Sequence, residues 1–188
     1  MKRRLVTYGI LLFLVLSSFE IGFGQTDIEN EVISTTFNEE TDLTVVMLNG
    51  IEIPKNKDKF SVGALFFYAG KEYSDPACCI QLFFTSLSQK NFKYKEKRDL
   101  TVWVDAQAIE FGEMNWQESP HATAFIIAEI FWAEEMFVSI DKEELLKIAR
   151  AGEIRVRIGD FKFNVTDKQI SGLRELADKL EAGPVTQN

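Results

Sequence analysis

The chain has 188 residues, of which 29 are acidic and 21 are basic, and its formal net charge at pH 7 is -8. This length suits one domain that buries about 70% of the surface of its unfolded chain. The acidic balance argues against non-specific binding to nucleic acid, because such binding depends on basic surface.

The N-terminus has the pattern of a secretory signal peptide. Lys2-Arg3-Arg4 is followed by an apolar run from Leu5 to Leu16, and we expect cleavage near Gly24. Residues 1–24 would then be removed and the protein exported, either to the periplasm or into the medium. A retained anchor is the alternative, but the run is shorter than the ~20 residues of a membrane span. Cleavage removes three basic residues and one acidic residue, so it moves the net charge to -10 and leaves no expected membrane span.

The rest of the chain divides into a lead-in, one domain and a tail. Residues 25–42 are acidic and contain one weak strand, from Val32 to Phe37. Residues 43–183 carry the apolar runs of a single β-rich domain, and residues 184–188 form the tail.

Short apolar runs between turn residues predict antiparallel strands through the middle of the chain. Two of the runs are apolar on both faces, which predicts interior strands with Phe66, Phe67, Phe83 and Phe84 in the core. The predicted strands are Leu43–Leu48, Phe60–Tyr68, Cys78–Thr85, Leu100–Val104, Ala108–Phe111, Phe125–Trp132 and Met136–Ile140.

Three segments predict turns between these strands. Asn49-Gly50 is the strongest signal, because both residues tolerate the backbone angles of a tight hairpin turn. Asp105-Ala106-Gln107 predicts a three-residue turn, after which Glu113 to Gln117 would continue the next strand. Ala133-Glu134-Glu135 predicts a third turn, which places the two glutamates outside regular structure.

The two cysteines, Cys78 and Cys79, are adjacent and lie in a predicted strand. Strand neighbours point to opposite faces, whereas a disulfide needs Cβ atoms about 3.8 Å apart. We therefore expect two small buried side chains and no disulfide between them. Neither cysteine directly follows the N-terminal apolar run, so a lipoprotein anchor at that site is not expected.

The segment from Ser139 to Gly183 predicts a helix, a hairpin and a second helix. Asp141 and Glu144 form a capping box for the first helix, and Thr166 and Gln169 form one for the second. Between them, the two-residue loop Gly159-Asp160 fixes the hairpin register. This register puts six apolar side chains on one face: Ile154, Val156, Ile158, Phe161, Phe163 and Val165.

The count of roughly ten strands and two helices predicts a mainly β (α+β) fold. We expect an antiparallel sandwich or a strongly curved sheet, with the C-terminal helix, hairpin and helix packed against it.

No motif of known chemistry is present. His121 is the only histidine and lies in a polar loop, so we expect no catalytic triad, no metal site and no cofactor. The pairs Glu134-Glu135 and Glu143-Glu144 lack the ligands of a cation site. Asn164-Val165-Thr166 matches the glycosylation pattern, but Thr166 has a better-supported role as a helix cap.

Two groups of cations are candidate interaction sites. Arg155, Arg157 and Lys162 lie on the outer face of the predicted hairpin, and we call these three residues the basic strip. Clustered cations favour a nearby anion, which is either a glutamate on an adjacent strand or an acidic partner. The weaker candidate, the basic loop, alternates cations with aromatic residues that suit an acidic polymer, or it is a solvated hairpin. The basic loop contains Lys90, Lys93, Lys95, Lys97 and Arg98.

The second half of the chain resembles exported bacterial domains of unknown function. The resemblance is carried by Val102-Trp103-Val104-Asp105, Ile109-Glu110-Phe111-Gly112, Leu145-Leu146, Ile148-Ala149, Val156-Arg157-Ile158-Gly159, Phe163 and Leu173-Arg174-Glu175-Leu176. These motifs are structural, and the resemblance implies neither an activity nor a ligand.

We therefore expect a non-catalytic interaction or structural module of the cell envelope or extracellular space, whose partner is a protein or another acidic molecule. Two other hypotheses are of different classes. The phenylalanine-rich strands could line a cavity for an apolar ligand such as a lipid, although such residues are commonly plain core. A hydrolase with paired carboxylates is the third hypothesis, and the sequence names no pair of acids for it.

Overall fold

The computed structural model describes residues 32–55, 58–73, 80–119 and 132–182, and only the backbone of residues 51–55 and 58. The predicted signal peptide, Cys78, Cys79, His121, the predicted strand from Phe125 and the tail lie outside these residues. The elements are β1 (Ile33–Asn38), β2 (Leu43–Lys55), β3 (Asp58–Ala69), β4 (Ile80–Ser88), β5 (Asp99–Val104), β6 (Gln107–Glu113), β7 (Asn115–Glu118), β8 (Trp132–Ile140), α1 (Lys142–Ala149), β9 (Ile154–Ile158), β10 (Phe161–Asn164) and α2 (Asp167–Ala182).

The strands form two antiparallel sheets, and the fold is mainly β with two C-terminal helices, as predicted. Sheet A has the strand order β1-β2-β3-β4-β8-β7, and sheet B has the order β10-β9-β5-β6. Strand β1 pairs with β2 from Ile33 to Asn38, so the predicted weak strand belongs to sheet A. The compact unit accordingly begins at Val32, upstream of the expected domain start at residue 43.

The core lies between the inner faces of the two sheets and the helices. Phe60 of β3 is 1% exposed, and its ring lies 5.3 Å from that of Phe161 and 5.5 Å from that of Phe163, both on β10. Of the four phenylalanines predicted for the core, Phe66 and Phe84 are buried there. Phe67 and Phe83 are half-buried and project from the other face of sheet A, because strand neighbours alternate between faces.

Both capping boxes are present. The Asp141 carboxylate accepts a hydrogen bond from the Glu144 amide at 2.7 Å, and the Glu144 carboxylate accepts one from the Asp141 amide at 2.9 Å. Thr166 and Gln169 make the equivalent pair of bonds at the start of α2. The apolar stripe of α2 is buried, as its spacing predicts: Ile170, Leu173, Leu176, Ala177 and Leu180.

The C-terminal hairpin has the predicted register, with Phe161 opposite Ile158 and Phe163 opposite Val156. Strand β9 also pairs with β5 along its whole length, from Ile154 to Ile158. The hairpin is therefore half of sheet B and is continuous with the centre of the domain.

The predicted turn at Asn49-Gly50 is wrong. Strand β2 continues through both residues, and its register with β3 shifts between Leu48 and Ile51, so the dipeptide forms a β-bulge. A Cβ atom at Gly50 would lie 2.9 Å from the Ser61 hydroxyl oxygen, so the close approach of β3 favours glycine here. Neither residue has a positive φ, and β3 pairs with the strand on both sides of the dipeptide.

Two other turns also differ from expectation. The β5–β6 turn has two residues, Asp105 and Ala106, because Val104 pairs directly with Gln107. Both turn residues have positive φ, as a type I′ turn requires, and the Asp105 carboxylate accepts hydrogen bonds from two backbone amides after α1. The predicted turn at Ala133-Glu134-Glu135 is wrong, because all three residues lie inside β8.

The expected continuation of β6 from Glu113 to Gln117 is also wrong. Strand β6 ends at Glu113, and β7 pairs with β8 of sheet A from Asn115 onward. Met114 lies between the two strands and is 1% exposed. The buried Met114 side chain therefore marks the point where the chain passes from sheet B to sheet A.

Candidate functional site

The outer face of sheet B brings the basic strip together with residues of β5 and β6. Strand pairing places Arg155 beside Trp103, and Arg157 beside Thr101. Because alternate strand residues share a face, two rows of side chains cross the sheet. One row contains Asn164, Arg155, Trp103 and Ala108, and the other contains Lys162, Arg157, Thr101 and Glu110.

Alternation along the hairpin produces this face. Ile154, Val156 and Ile158 are buried on the inner side, and the arginines between them point outward. Phe161 and Phe163 pack their rings against Phe60 on the inner side as well. The strands that carry the cations are therefore fixed in position by the packing of their inner faces against the hydrophobic core.

Arg157 is the most firmly held cation of the basic strip. One of its terminal nitrogens donates a hydrogen bond to the Thr101 hydroxyl at 2.9 Å, and its guanidinium lies 5.7 Å from the centre of the Trp103 ring. That distance is within the range of a cation–π interaction. Its Nε atom is buried and has no hydrogen-bond partner in the structure as described.

Arg155 and Lys162 are more exposed. The Arg155 side chain is 50% exposed, and its Nε lies 3.6 Å from a Glu153 carboxylate oxygen that is itself mostly exposed. An exposed pair of this kind contributes at most about 1 kcal/mol. Among the residues that the structure describes, no carboxylate oxygen lies within 4 Å of the Lys162 ammonium group.

The adjacent strand β5 therefore supplies a hydroxyl and an indole ring to the strip. The nearest glutamate in its rows, Glu110, is on β6 and is separated from Arg157 by Thr101. A groove of about 310 Å³ opens on this face. It is lined by Trp103, Arg155, Val156, Lys162, Phe163 and Asn164.

The basic loop occupies a different place, and several of its cations have internal partners. The Lys97 ammonium lies 3.1 Å from the Asp160 carboxylate, and Arg98 pairs with Glu113. The Lys95 ammonium lies 5.3 Å from the centre of the Trp116 ring. Lys90 is exposed, while the backbone amide of Lys93 is bound inside the domain. These contacts favour a structural role for the loop.

A buried carboxylate holds the basic loop in place. Glu134 of β8 is fully buried and accepts hydrogen bonds from the backbone amides of Lys93 and Tyr94, at 2.8 and 3.1 Å. A third bond, from the Trp116 indole at 2.9 Å, completes the set. Phe92 packs edge-on between the rings of Trp116 and Trp132 beside it.

Two glutamates occupy paired positions at this end of sheet A. Glu118 of β7 pairs directly with Glu134 of β8, a juxtaposition that the sequence does not reveal. Both oxygens of Glu134 are engaged by the three donors from the loop and Trp116. The Glu134 carboxylate therefore holds the basic loop and Trp116 in place.

Sequence reasoning identified the three cations and missed Trp103 and Thr101. The alternating pattern of β9 and β10 is local, whereas the pairing of β9 with β5 joins residues about fifty positions apart. The role of Glu134 was also missed, and no local signal marks it.

Within residues 32–55, 58–73, 80–119 and 132–182, no three histidine, cysteine or acidic side chains are grouped closely enough to hold a metal ion. The helices of the same ranges are too short or too polar to cross a membrane. The fold and the face together define an α+β sandwich with cations and an indole on the outside of its smaller sheet. Comparison with protein-family models, curated proteins and solved structures found no match.

Proposed function

We propose that this protein is an exported, non-catalytic interaction module whose basic strip binds an acidic segment of a partner protein. The observation that carries the proposal is the convergence of Arg155, Arg157 and Lys162 beside the groove next to Trp103. Export is supported by the N-terminal sequence pattern.

The chemistry of the strip favours carboxylates. Guanidinium groups present paired N–H donors that match the two oxygens of a carboxylate. Arg157 is held in one orientation by Thr101 and Trp103, so less conformational freedom is lost when an anion binds. Because the whole chain carries a net charge of -8, attraction of an acidic partner depends on this local group of cations.

Purified protein is expected to bind a fluorescent polyglutamate peptide, with an affinity that falls as salt is added. The double substitution Arg155→Glu with Lys162→Glu is expected to weaken binding about tenfold or more. Both side chains are largely exposed, so the thermal midpoint is expected to shift by less than about 4 °C. Fluorescence anisotropy and thermal unfolding measure the two effects.

The matched control is Lys147→Glu with Lys168→Glu, which changes the net charge equally at two exposed helix positions. If both double variants lost binding equally, net charge alone would explain the loss, and the proposal would be contradicted. Unfolding of the first variant would instead show that the strip's cations are internal pair partners.

A second candidate, the binding of an apolar ligand such as a lipid, is favoured by the face of sheet A that points away from sheet B. Phe83 pairs with Phe137 there, and both rings are half-buried. The Phe83 ring lies over Gly63, where an added Cβ atom would approach it to 2.1 Å. Aromatic rings on both neighbouring strands give this face the composition of an apolar binding surface.

Native mass spectrometry of the protein mixed with a fatty acid tests this second candidate. A bound fatty acid that Phe137→Ser removes would support it, because the serine replaces one of the two paired rings with a polar group. Spectra that show only the unbound protein at every fatty-acid concentration would contradict it.

A further inference from the structure

Strand β10 is the edge of sheet B in the described part of the chain. Hydrogen-bonded and non-hydrogen-bonded pairs alternate along β9 and β10, and this alternation decides which backbone groups of β10 point away from β9. A two-residue hairpin loop makes its flanking pair, Ile158 and Phe161, a hydrogen-bonded pair. The next pair, Arg157 with Lys162, is then of the non-hydrogen-bonded kind, and the two kinds alternate along the strands. The Val165 amide donates a hydrogen bond to the Ile154 carbonyl at 2.9 Å. Ile154 and Val165 are therefore a hydrogen-bonded pair, as this alternation requires.

Lys162 and Asn164 therefore direct their backbone N–H and C=O groups away from β9. In the residues that the structure describes, none of these four groups has a hydrogen-bond partner. Both residues are exposed, and both line the groove beside Trp103. An open row of backbone groups thus runs along the border of the basic strip.

We infer that the acidic partner binds as an extended segment that adds a fifth strand to sheet B, antiparallel or parallel to β10. This inference rests on the proposed function, because it specifies how the same strip holds its partner. Backbone hydrogen bonds to Lys162 and Asn164 would supply affinity. The outward side chains of the added strand would lie beside Lys162 and Asn164, with Arg155 and Arg157 one strand further in.

Charge complementarity selects an acidic segment over a second copy of the chain. Pairing of β10 with itself would bring together two strands that each carry Lys162, and two molecules that are both strongly acidic. An acidic strand instead places opposite charges across the new pairing. The inner side of the same added strand would border Phe161 and Phe163, which are half-buried, so its alternate residues are apolar.

The probe is a short acetylated peptide that alternates glutamate with valine. On binding, hydrogen exchange at the Lys162 and Asn164 amides is expected to slow, because both N–H groups become hydrogen-bonded. Asn164→Pro removes one outward N–H group and none of the three cations, and proline is tolerated at such an edge position. We expect it to weaken peptide binding about tenfold relative to the matched variant Asn164→Ala.

N-methylation of the peptide backbone gives a second test that leaves the protein unchanged. It is expected to weaken binding at constant charge, whereas a partner held only by its carboxylates would bind as before. Binding that survives both Asn164→Pro and N-methylation, without amide protection, would overturn strand addition while leaving the basic strip as the binding site. Failure of the unmodified peptide and of polyglutamate to bind wild-type protein would overturn the proposed function itself. Self-association through β10 would appear as a dimer that Asn164→Pro dissociates, and would also contradict the inference.

Discussion

The Glu134→Ala variant is expected to lose about 3 to 5 kcal/mol of unfolding free energy. Three donors lose their acceptor in this variant: the backbone amides of Lys93 and Tyr94 and the indole N–H of Trp116. A buried N–H group without a partner costs about 1 to 3 kcal/mol. The total lies at the lower end of the sum, because two of the three bonds are only part-buried and the variant no longer buries a carboxylate. Urea denaturation measures the loss.

The neighbouring residue provides the control. Glu135 accepts hydrogen bonds from the side chains of Gln117 and Ser119, at 2.6 and 2.8 Å, on the opposite face of β8. The half-buried Gln117 side chain can turn to solvent, whereas the buried Ser119 hydroxyl cannot, so Glu135→Ala is expected to cost about 1 to 2 kcal/mol, less than Glu134→Ala. Faster amide exchange at Lys93 and Tyr94 should accompany only the Glu134 variant. Equal losses in the two variants would contradict the anchoring role.

The Phe60→Ala variant is expected to be destabilised by about 3 to 5 kcal/mol, the usual cost of removing a fully buried ring. The Phe60 ring lies 6.2 Å from that of Phe84 in sheet A and 5.7 Å from that of Tyr94 in the basic loop. It also contacts the two phenylalanines of β10 that lie behind the basic strip. One side chain therefore connects both sheets and the loop, and chemical denaturation measures its contribution.

Phe83→Ala is the matched control, because it also removes a phenyl ring, but from the outer face of sheet A, where the side chain is half-buried. A cost of about 1 to 2 kcal/mol is expected there, in proportion to the smaller buried area. A cost equal to that of Phe60→Ala would show that the outer face is packed as tightly as the core. Phe60→Ala should also weaken polyglutamate binding without altering any charge, because β10 loses its support.

The C-terminal elements could be predicted from the sequence, because their signals are local. The capping boxes at Asp141 and Thr166 satisfy backbone donors within three residues. The loop at Gly159 sets the hairpin register over a few positions. Each of these features is decided by neighbours along the chain, whatever packs against them.

The structure at Asn49-Gly50 could not be predicted from local signals. The dipeptide suits either a hairpin turn or a bulge, and the choice depends on whether β3 pairs with one side of it or with both. Glu134 presents the same difficulty, because two adjacent glutamates indicate exposure even between the apolar residues Ala133 and Met136. Its burial follows from three donors that the fold brings from elsewhere in the chain.

The sequence by itself determined the two helices, the hairpin and the alternation that puts Arg155, Arg157 and Lys162 on one face, since these depend on short-range periodicity. Only the tertiary structure decided that this hairpin pairs with β5, that Trp103 and Thr101 lie beside the arginines, and that β10 is the edge of its sheet. The physical reason is that strand pairing joins residues far apart in the chain. Many alternative pairings satisfy the local pattern, and the packing of the whole core selects one of them.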